Sequence, residues 1–251
     1  MASGSPRPSV VNAAKRAADR LLYALLGNRW LTYRARRTWD ARADSEPLVA
    51  TAAFDAADWE TYWASGRRDL DLMLGVARQG ATLGSSLAVE IGCGLGRLAR
   101  LAAKDFEKVI ATDISPHMLK QATEKASMPN VTYVLLASDL KLPVPDVTAD
   151  LVYAWTVFRH TAEVVFAGYL DESRRVLKPG GCLVFEALVR KDGIPFKPSV
   201  SNPVSEREYT RAELETYCRS HGFRWRADHE IPSVTPGTAN LVIAWSKPDA
   251  A

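Results

Sequence analysis

Three glycines, Gly92, Gly94 and Gly96, stand in the run Leu87-Ala-Val-Glu-Ile-Gly-Cys-Gly-Leu-Gly-Arg97, directly after a strand-like stretch and directly before a helix-like one. Glycine suits a tight turn where backbone must approach a ligand, and a helix start offers free N–H groups to electron-rich atoms. Asp113 closes the next strand-like run, 21 positions after Gly92. An ionised carboxylate presents two acceptor oxygens, so it can hold both vicinal hydroxyls of a ribose. The spacing is GxGxG where a dinucleotide turn has GxGxxG. With the acidic Glu90 just before the loop, it favours a nucleoside ligand without a pyrophosphate.

Alternating strands and helices must position these groups. Residues 87–91, 108–112, 131–136, 150–155 and 182–187 read as five strands, with helices over 97–104, 116–126 and 163–177 between them. Such alternation implies parallel pairing and an open sheet covered on both faces. The tail breaks the pattern. Thr210 followed by Glu213 is a capping box that opens a helix ending by Gly222, and residues 223–231 and 240–245 then form two strands joined by a Pro/Gly turn. The expected fold is a Rossmann-like, doubly wound α/β sheet of seven strands with an antiparallel C-terminal hairpin and an extra N-terminal helical arm.

At 251 residues, 47% hydrophobic and 24% charged, the chain has the composition of one ordinary domain, which sets aside fibrous and wholly disordered readings. Cys93, Cys182 and Cys218 are scattered and form neither a disulfide framework nor a CxxC pair, so a reduced, cytoplasmic setting is expected. No apolar run reaches the roughly 18 to 20 residues of a membrane span.

Charge is uneven. Residues 1–44 hold nine basic and three acidic side chains, an excess of +6, so a net charge of +3 leaves −3 for the remainder. The basic character therefore belongs to the leader, which argues against nucleic acid as partner. Val10, Val11, Ala14, Leu21, Leu22, Leu25 and Leu26 recur at helical spacing opposite Lys15, Arg16, Arg20 and Arg29. This amphipathic arm, residues 1–44, is expected to pack against the body or a second copy, with an anionic membrane surface as the alternative. Residues 45–251 form the main domain, with a ligand-binding core over about 84–187 and a lid and hairpin over 188–251.

Four ordered motifs carry a family resemblance: Glu90-Ile-Gly-Cys-Gly-Leu-Gly-Arg97, the strand-end Asp113, Ala137-Ser-Asp-Leu140, and Leu177-Lys-Pro-Gly-Gly181. Together they resemble class I S-adenosylmethionine-dependent methyltransferases of the small-molecule type. The resemblance implies S-adenosyl-L-methionine as cofactor. Gly92 to Gly96, with Cys93, would lie against its methionine moiety. Asp113 would hold the ribose and Ile114 meet the adenine. Asp139 would accept from the adenine amino group beside Ser138 and Leu140. Met118 and Trp155 complete the contact set, and Glu90 would reach the methionine end. For Glu90 and Asp139 the alternative is that they are turn acids.

Upstream, Trp59-Glu-Thr-Tyr-Trp-Ala-Ser-Gly-Arg-Arg68 is similar to an aromatic segment that closes over the cofactor in several such enzymes. On that analogy Tyr62 and Trp63 would face the sulfonium, and Arg67 or Arg68, preferably Arg68, would pair with the methionine carboxylate. A helix that buries its aromatics while its arginines are solvated is the competing account. His160, delivered by the fourth strand to the ligand edge, is the candidate general base. It could take a proton from a hydroxyl or amine as that group attacks the methyl, or it could hold a loop or orient the acceptor. Residues 188–209, with Arg190, Lys191 and Lys197, read as a substrate lid.

After the fourth strand there is no NPPY or DPPY tetrapeptide and no Pro-Cys pair, which argues against methylation of nucleic-acid bases, and no acidic cluster suggests a catalytic metal. The expected reaction is methyl transfer to an oxygen or nitrogen of a small-molecule acceptor: a specialised metabolite, a sugar or a lipid-like alcohol. The alternative is a cyclisation, or another step without methyl transfer, in which the cofactor is structural.

Overall fold

In a computed structural model, the structure describes residues 18, 19, 21–51, 58–138, 140–191 and 207–248. A seven-stranded sheet in the order β3-β2-β1-β4-β5-β7-β6 forms its centre. The strands are β1 (Leu87–Ile91), β2 (Lys108–Asp113), β3 (Val131–Leu135), β4 (Ala149–Ala154), β5 (Leu177–Arg190), β6 (Arg224–Pro232) and β7 (Thr238–Ser246). β1 to β5 run parallel, whereas β7 is antiparallel to both β5 and β6. The doubly wound sheet with an antiparallel C-terminal hairpin is therefore as the residue pattern predicts.

Because successive side chains of a strand point to opposite faces, the apolar residues of the central strands divide into two cores. Val89, Val152, Leu183 and Phe185 face one side, where Phe166, Tyr169 and Leu170 of α6 (Glu163–Val176) and Leu214 of α7 (Arg211–Ser220) cover them. Ala88, Tyr153, Cys182 and Val184 face the other, under Leu70, Met73 and Leu74 of α3 (Trp59–Ala77) and Leu119 of α5 (Pro116–Lys125). The predicted capping box opens α7: Thr210 accepts from the Glu213 backbone while the Glu213 carboxylate accepts from the Thr210 N–H.

Two expectations change. The helix predicted over 97–104 is only α4 (Ala99–Ala102), preceded by turns. The fifth strand runs beyond 182–187, from Leu177 to Arg190, and its residues Cys182 to Arg190 pair with β7; its end also pairs with Tyr209. Lys197 and most of the expected lid lie within 192–206, outside the described residues, as do Val10, Val11 and Ala14 of the arm.

The N-terminal region is not set apart from the body. After helical turns over 21–26 and a break at Gly27, α1 (Asn28–Ser45) crosses the carboxyl ends of β2 and β3, followed by the short α2 (Pro47–Ala50). Arg36 donates from Nε to the Ile114 carbonyl at 2.7 Å and from Nη2 to the Leu136 carbonyl at 3.0 Å. Ser115 donates to Asp40 at 2.5 Å, and Gln121 to the Ala43 carbonyl at 2.8 Å. The boundary expected at residue 44 falls inside this helix.

Candidate functional site

The parallel strands β1, β2 and β4 end on one edge, beside the point where strand order reverses from β1–β2 to β1–β4, the usual ligand position in an open α/β sheet. A cavity of about 600 Å³ opens there, roofed by α1.

At its first side β1 ends in Glu90-Ile91 and turns through the glycine loop. Gly92 and Gly94 line the cavity in the left-handed region, at φ 70° and 52°. A Cβ on Gly92 would sit 2.5 Å from Val157 Cγ2, and one on Gly94 2.5 Å from Thr51 Cγ2. The loop thus needs glycine for conformation and for space. Gly96 is not part of the lining and packs beneath Tyr133 and Ala126.

Asp113 is held by the same loop. Its Oδ2 accepts from the Gly94 N–H at 2.9 Å and its Oδ1 from the Ser115 N–H at 2.8 Å, which orients both carboxyl oxygens beside the cavity. Burial raises its pKa, and the amides of Ser115, Gly94 and Ile114 oppose that rise. Glu90 is also buried; burial pushes its carboxyl up to about 8, with the Tyr153 hydroxyl donating to Oε2 at 3.1 Å. Ile114, Met118, Leu136 and Leu140 supply an apolar slot next to Asp113.

A donor set of this kind fits S-adenosylmethionine: a bare backbone cradle, an oriented carboxylate with lone pairs to spare, and an apolar slot for a ring. Two of the lining residues, Leu140 and Thr156, adopt left-handed backbone without being glycine, at φ 62° and 56°. Such strain persists where the surroundings impose it and clusters at ligand sites.

Of the predicted residues, the structure brings Tyr62, Glu90, Gly92, Cys93, Gly94, Asp113, Ile114, Met118, Leu140, Trp155 and His160 to the cavity wall. Trp63 and Arg68 are not among them. Tyr62 and Trp63 are neighbours on α3, about 100° apart around the helix axis. Tyr62 is buried and its hydroxyl accepts from Thr51 Oγ1 at 2.9 Å, whereas Trp63 stacks on Trp59 outside the cavity, beneath Arg100. Arg68 has a side chain 72% exposed and, among the described residues, pairs with Asp69. Ser138 is half-buried and lies off the lining, and Asp139 falls outside the described residues.

The arginine at the glycine loop is instead Arg97. It lines the cavity, is 3% exposed, donates to Asp69 at 2.6 Å and Ser65 at 2.9 Å, and lies over the Tyr62 ring at 5.6 Å. Its position next to Gly96 was the available signal in the sequence. A Cβ on Gly66 would come within 2.8 Å of Arg97 Cγ, so α3 makes room for this side chain.

The far side of the cavity is built from elements distant in sequence. α1 contributes Leu31, Thr32, Arg34, Ala35 and Trp39; the start of α6 contributes Glu163, Val164 and Val165; Arg207 and Tyr217 complete it. His160 ends the 3₁₀ turn Phe158–His160 after β4, and its ring meets Trp39 edge-on with centroids 5.4 Å apart. Among the described residues no three His, Cys, Asp or Glu side chains gather as a metal site, and no helix is long and apolar enough to cross a membrane.

Residues 89–185 match a family model described as a methyltransferase domain. A demethylmenaquinone methyltransferase of Tropheryma whipplei (strain Twist) is 34% identical over 126 residues, which are 50% of this chain and 47% of the relative; the match thus spans about half of that protein's length. Among solved structures, the N-methyltransferase NodS from Bradyrhizobium japonicum WM9, in complex with S-adenosylhomocysteine, aligns with a TM-score of 0.63 at 14% identity over 86% of this chain and 99% of that one. The [4+2]-cyclase SpnF aligns with a TM-score of 0.67 at 18% identity over 86% and 95%. At those identities the structural likeness is one of fold.

Proposed function

Residues 89–185 being a methyltransferase domain of the class I, S-adenosylmethionine-dependent kind, we propose that the whole chain transfers a methyl group from S-adenosylmethionine to an oxygen or nitrogen of a small-molecule acceptor with a largely apolar body. The observation that supports this is a cavity lined by the glycine loop and Asp113 on one side and by Leu31, Trp39, Val164 and Val165 on the other.

S-adenosylmethionine supplies a methyl group on a positively charged sulfur, with a neutral thioether as leaving group. The chain's part is to bind, align and exclude water. Asp113, with its carboxyl oriented by two backbone amides, accepts from the ribose hydroxyls. Ile114, Met118, Leu136 and Leu140 flank the adenine, and Arg97 receives the methionine carboxylate through its charged fork. α1, fastened to the strand ends by Arg36 and Asp40, screens the site from water. His160, beside the acceptor half, takes the proton from the attacking hydroxyl or amine, and Trp39 holds its ring. Because alignment alone supplies much of the acceleration in such a displacement, this proton transfer is the part that most needs testing.

Titration with S-adenosylhomocysteine by calorimetry, followed by assay of S-adenosylhomocysteine release over a panel of quinols, phenols and amines, tests the proposal; absence of binding by folded protein would sink it. A second reading is that the bound cofactor supports cyclisation of a substrate; the likeness in fold to a [4+2]-cyclase favours keeping it. Turnover without S-adenosylhomocysteine formation would establish it instead. We further propose a cytoplasmic protein of specialised metabolism whose N-terminal turns contact a second copy or an anionic membrane: Leu21, Leu25 and Leu26 are 62%, 71% and 46% exposed within the basic leader. Sedimentation with and without anionic vesicles separates the two contacts.

A further inference from the structure

Arg207 stands where the described chain resumes after residue 191, just before the start of α7. Its backbone N–H donates to the Arg159 carbonyl at 2.6 Å, and two residues on the Tyr209 hydroxyl donates to the Phe158 carbonyl at 3.1 Å. The segment is thereby tied to the turn that carries His160. Arg207 is 5% exposed and lines the cavity together with Glu163, Val164 and Tyr217.

Its charge is only half met. Nη2 lies 3.3 Å from Glu163 Oε2, a long contact to a side chain that is 54% exposed and whose other oxygen accepts from the Tyr217 hydroxyl. The Tyr209 ring lies 4.8 Å below the guanidinium. Nη1 is buried and has no acceptor among the described residues. The other buried cation lining this cavity is differently placed: Arg97 has both Asp69 and Ser65. A buried guanidinium with an unmet N–H is costly, and its planar fork matches a carboxylate in shape and charge.

We infer that the acceptor carries a carboxylate on its apolar body and that Arg207 is the residue that receives it. The inference rests on the acceptor lying in this cavity, as proposed above. The carboxylate would fill the unmet Nη1 and share the fork with Glu163, while Val164, Val165 and Leu31 meet the apolar part. Arg207 is then a specificity-determining residue. Neutral analogues are disfavoured because they leave its buried N–H without a partner.

The test uses the full chain saturated with S-adenosylhomocysteine and two matched pairs of probes, decanoate with decanamide and 4-butylbenzoate with 4-butylbenzamide, titrated by calorimetry. The acid of each pair should bind the native chain about tenfold more tightly than the amide, as a charge-assisted fork contact implies. In Arg207→Gln the preference should vanish, and in Arg207→Lys part of it should remain, with S-adenosylhomocysteine affinity unchanged in both. Equal binding of acid and amide by the native chain overturns the inference without any variant, as does a preference that survives Arg207→Gln. Failure of S-adenosylhomocysteine itself to bind would instead bring down the parent reading, and this one with it.

Discussion

The two sides of the cavity are built on different principles. On the glycine-loop side each polar group has its partner within the protein: Asp113 on two amides, Glu90 on Tyr153, Arg97 on Asp69 and Ser65. On the α1 side, Arg207 keeps a buried nitrogen without an acceptor among the described residues, in a wall where Leu31, Ala35, Trp39, Val164 and Val165 are apolar. A fully satisfied network holds one shape whatever is bound. A wall with an unmet group keeps part of its stabilisation for the molecule that completes it. The difference teaches that the first side is made to hold one ligand in place and the second to choose among several.

The largest effect expected from breaking this contrast is at Asp69. Asp69→Ala leaves Arg97 buried without its counter-charge, which should cost about 3–5 kcal/mol, visible as a melting temperature lower by about 10 °C. The double variant Asp69→Leu with Arg97→Met should recover much of that loss but not the affinity for S-adenosylhomocysteine. Asp113→Ala should weaken S-adenosylhomocysteine binding about 100-fold by calorimetry, through loss of the oriented acceptor pair. A change below threefold would mean that the loop alone makes the site.

His160→Gln should lower kcat about 100-fold while leaving S-adenosylhomocysteine affinity intact, the size expected of a general base. A loss of tenfold or less would reassign His160 to orienting the acceptor.

Glu90 offers a test by pH. Its carboxyl is raised from an ordinary 4.5 to about 8 by burial, so the folded state favours the protonated form. The stability this confers is fully present below about pH 4.5 and is lost as pH rises through about 8. The slope approaches 1.4 kcal/mol per pH unit in between. Glu90→Gln should remove that slope, so the variant's melting temperature gains on the native protein's between pH 6 and 8. Parallel curves would show that Glu90 ionises freely. Smallest of all, Arg68→Ala should alter S-adenosylhomocysteine affinity by less than twofold, since its side chain is solvated and outside the cavity.

The glycine-loop side was legible in the sequence because a sharp turn, a nearby carboxylate and their spacing are local properties. The other side was not. Leu31, Thr32, Ala35 and Trp39 face the cavity because Arg36 and Asp40 fasten α1 to strand ends some 75 to 100 residues away, as the Ser115 and Leu136 contacts show, and no local pattern reports such a contact. The basic excess of the leader drew attention to its charge, while Arg34, Arg36 and Asp40 serve in the roof or beside it. In α3 the difference is angular. Only the side of the helix bearing Tyr62, Gly66, Asp69 and Met73 is buried, which leaves Trp63 and Arg68 outside the cavity. Arg207 follows a long Pro-containing segment, and nothing in its neighbourhood distinguishes it from a solvated cation until Tyr209 is seen bonded beneath the turn of His160.

The edge-on pair of Trp39 and His160 gives the protein a built-in optical gauge. Protonated imidazole quenches the emission of an adjacent indole, whereas the neutral ring does so weakly. The fluorescence lost in Trp39→Phe, followed across a pH titration, therefore tracks the charge on a single histidine against the background of six other tryptophans, with no label attached and before any acceptor is known.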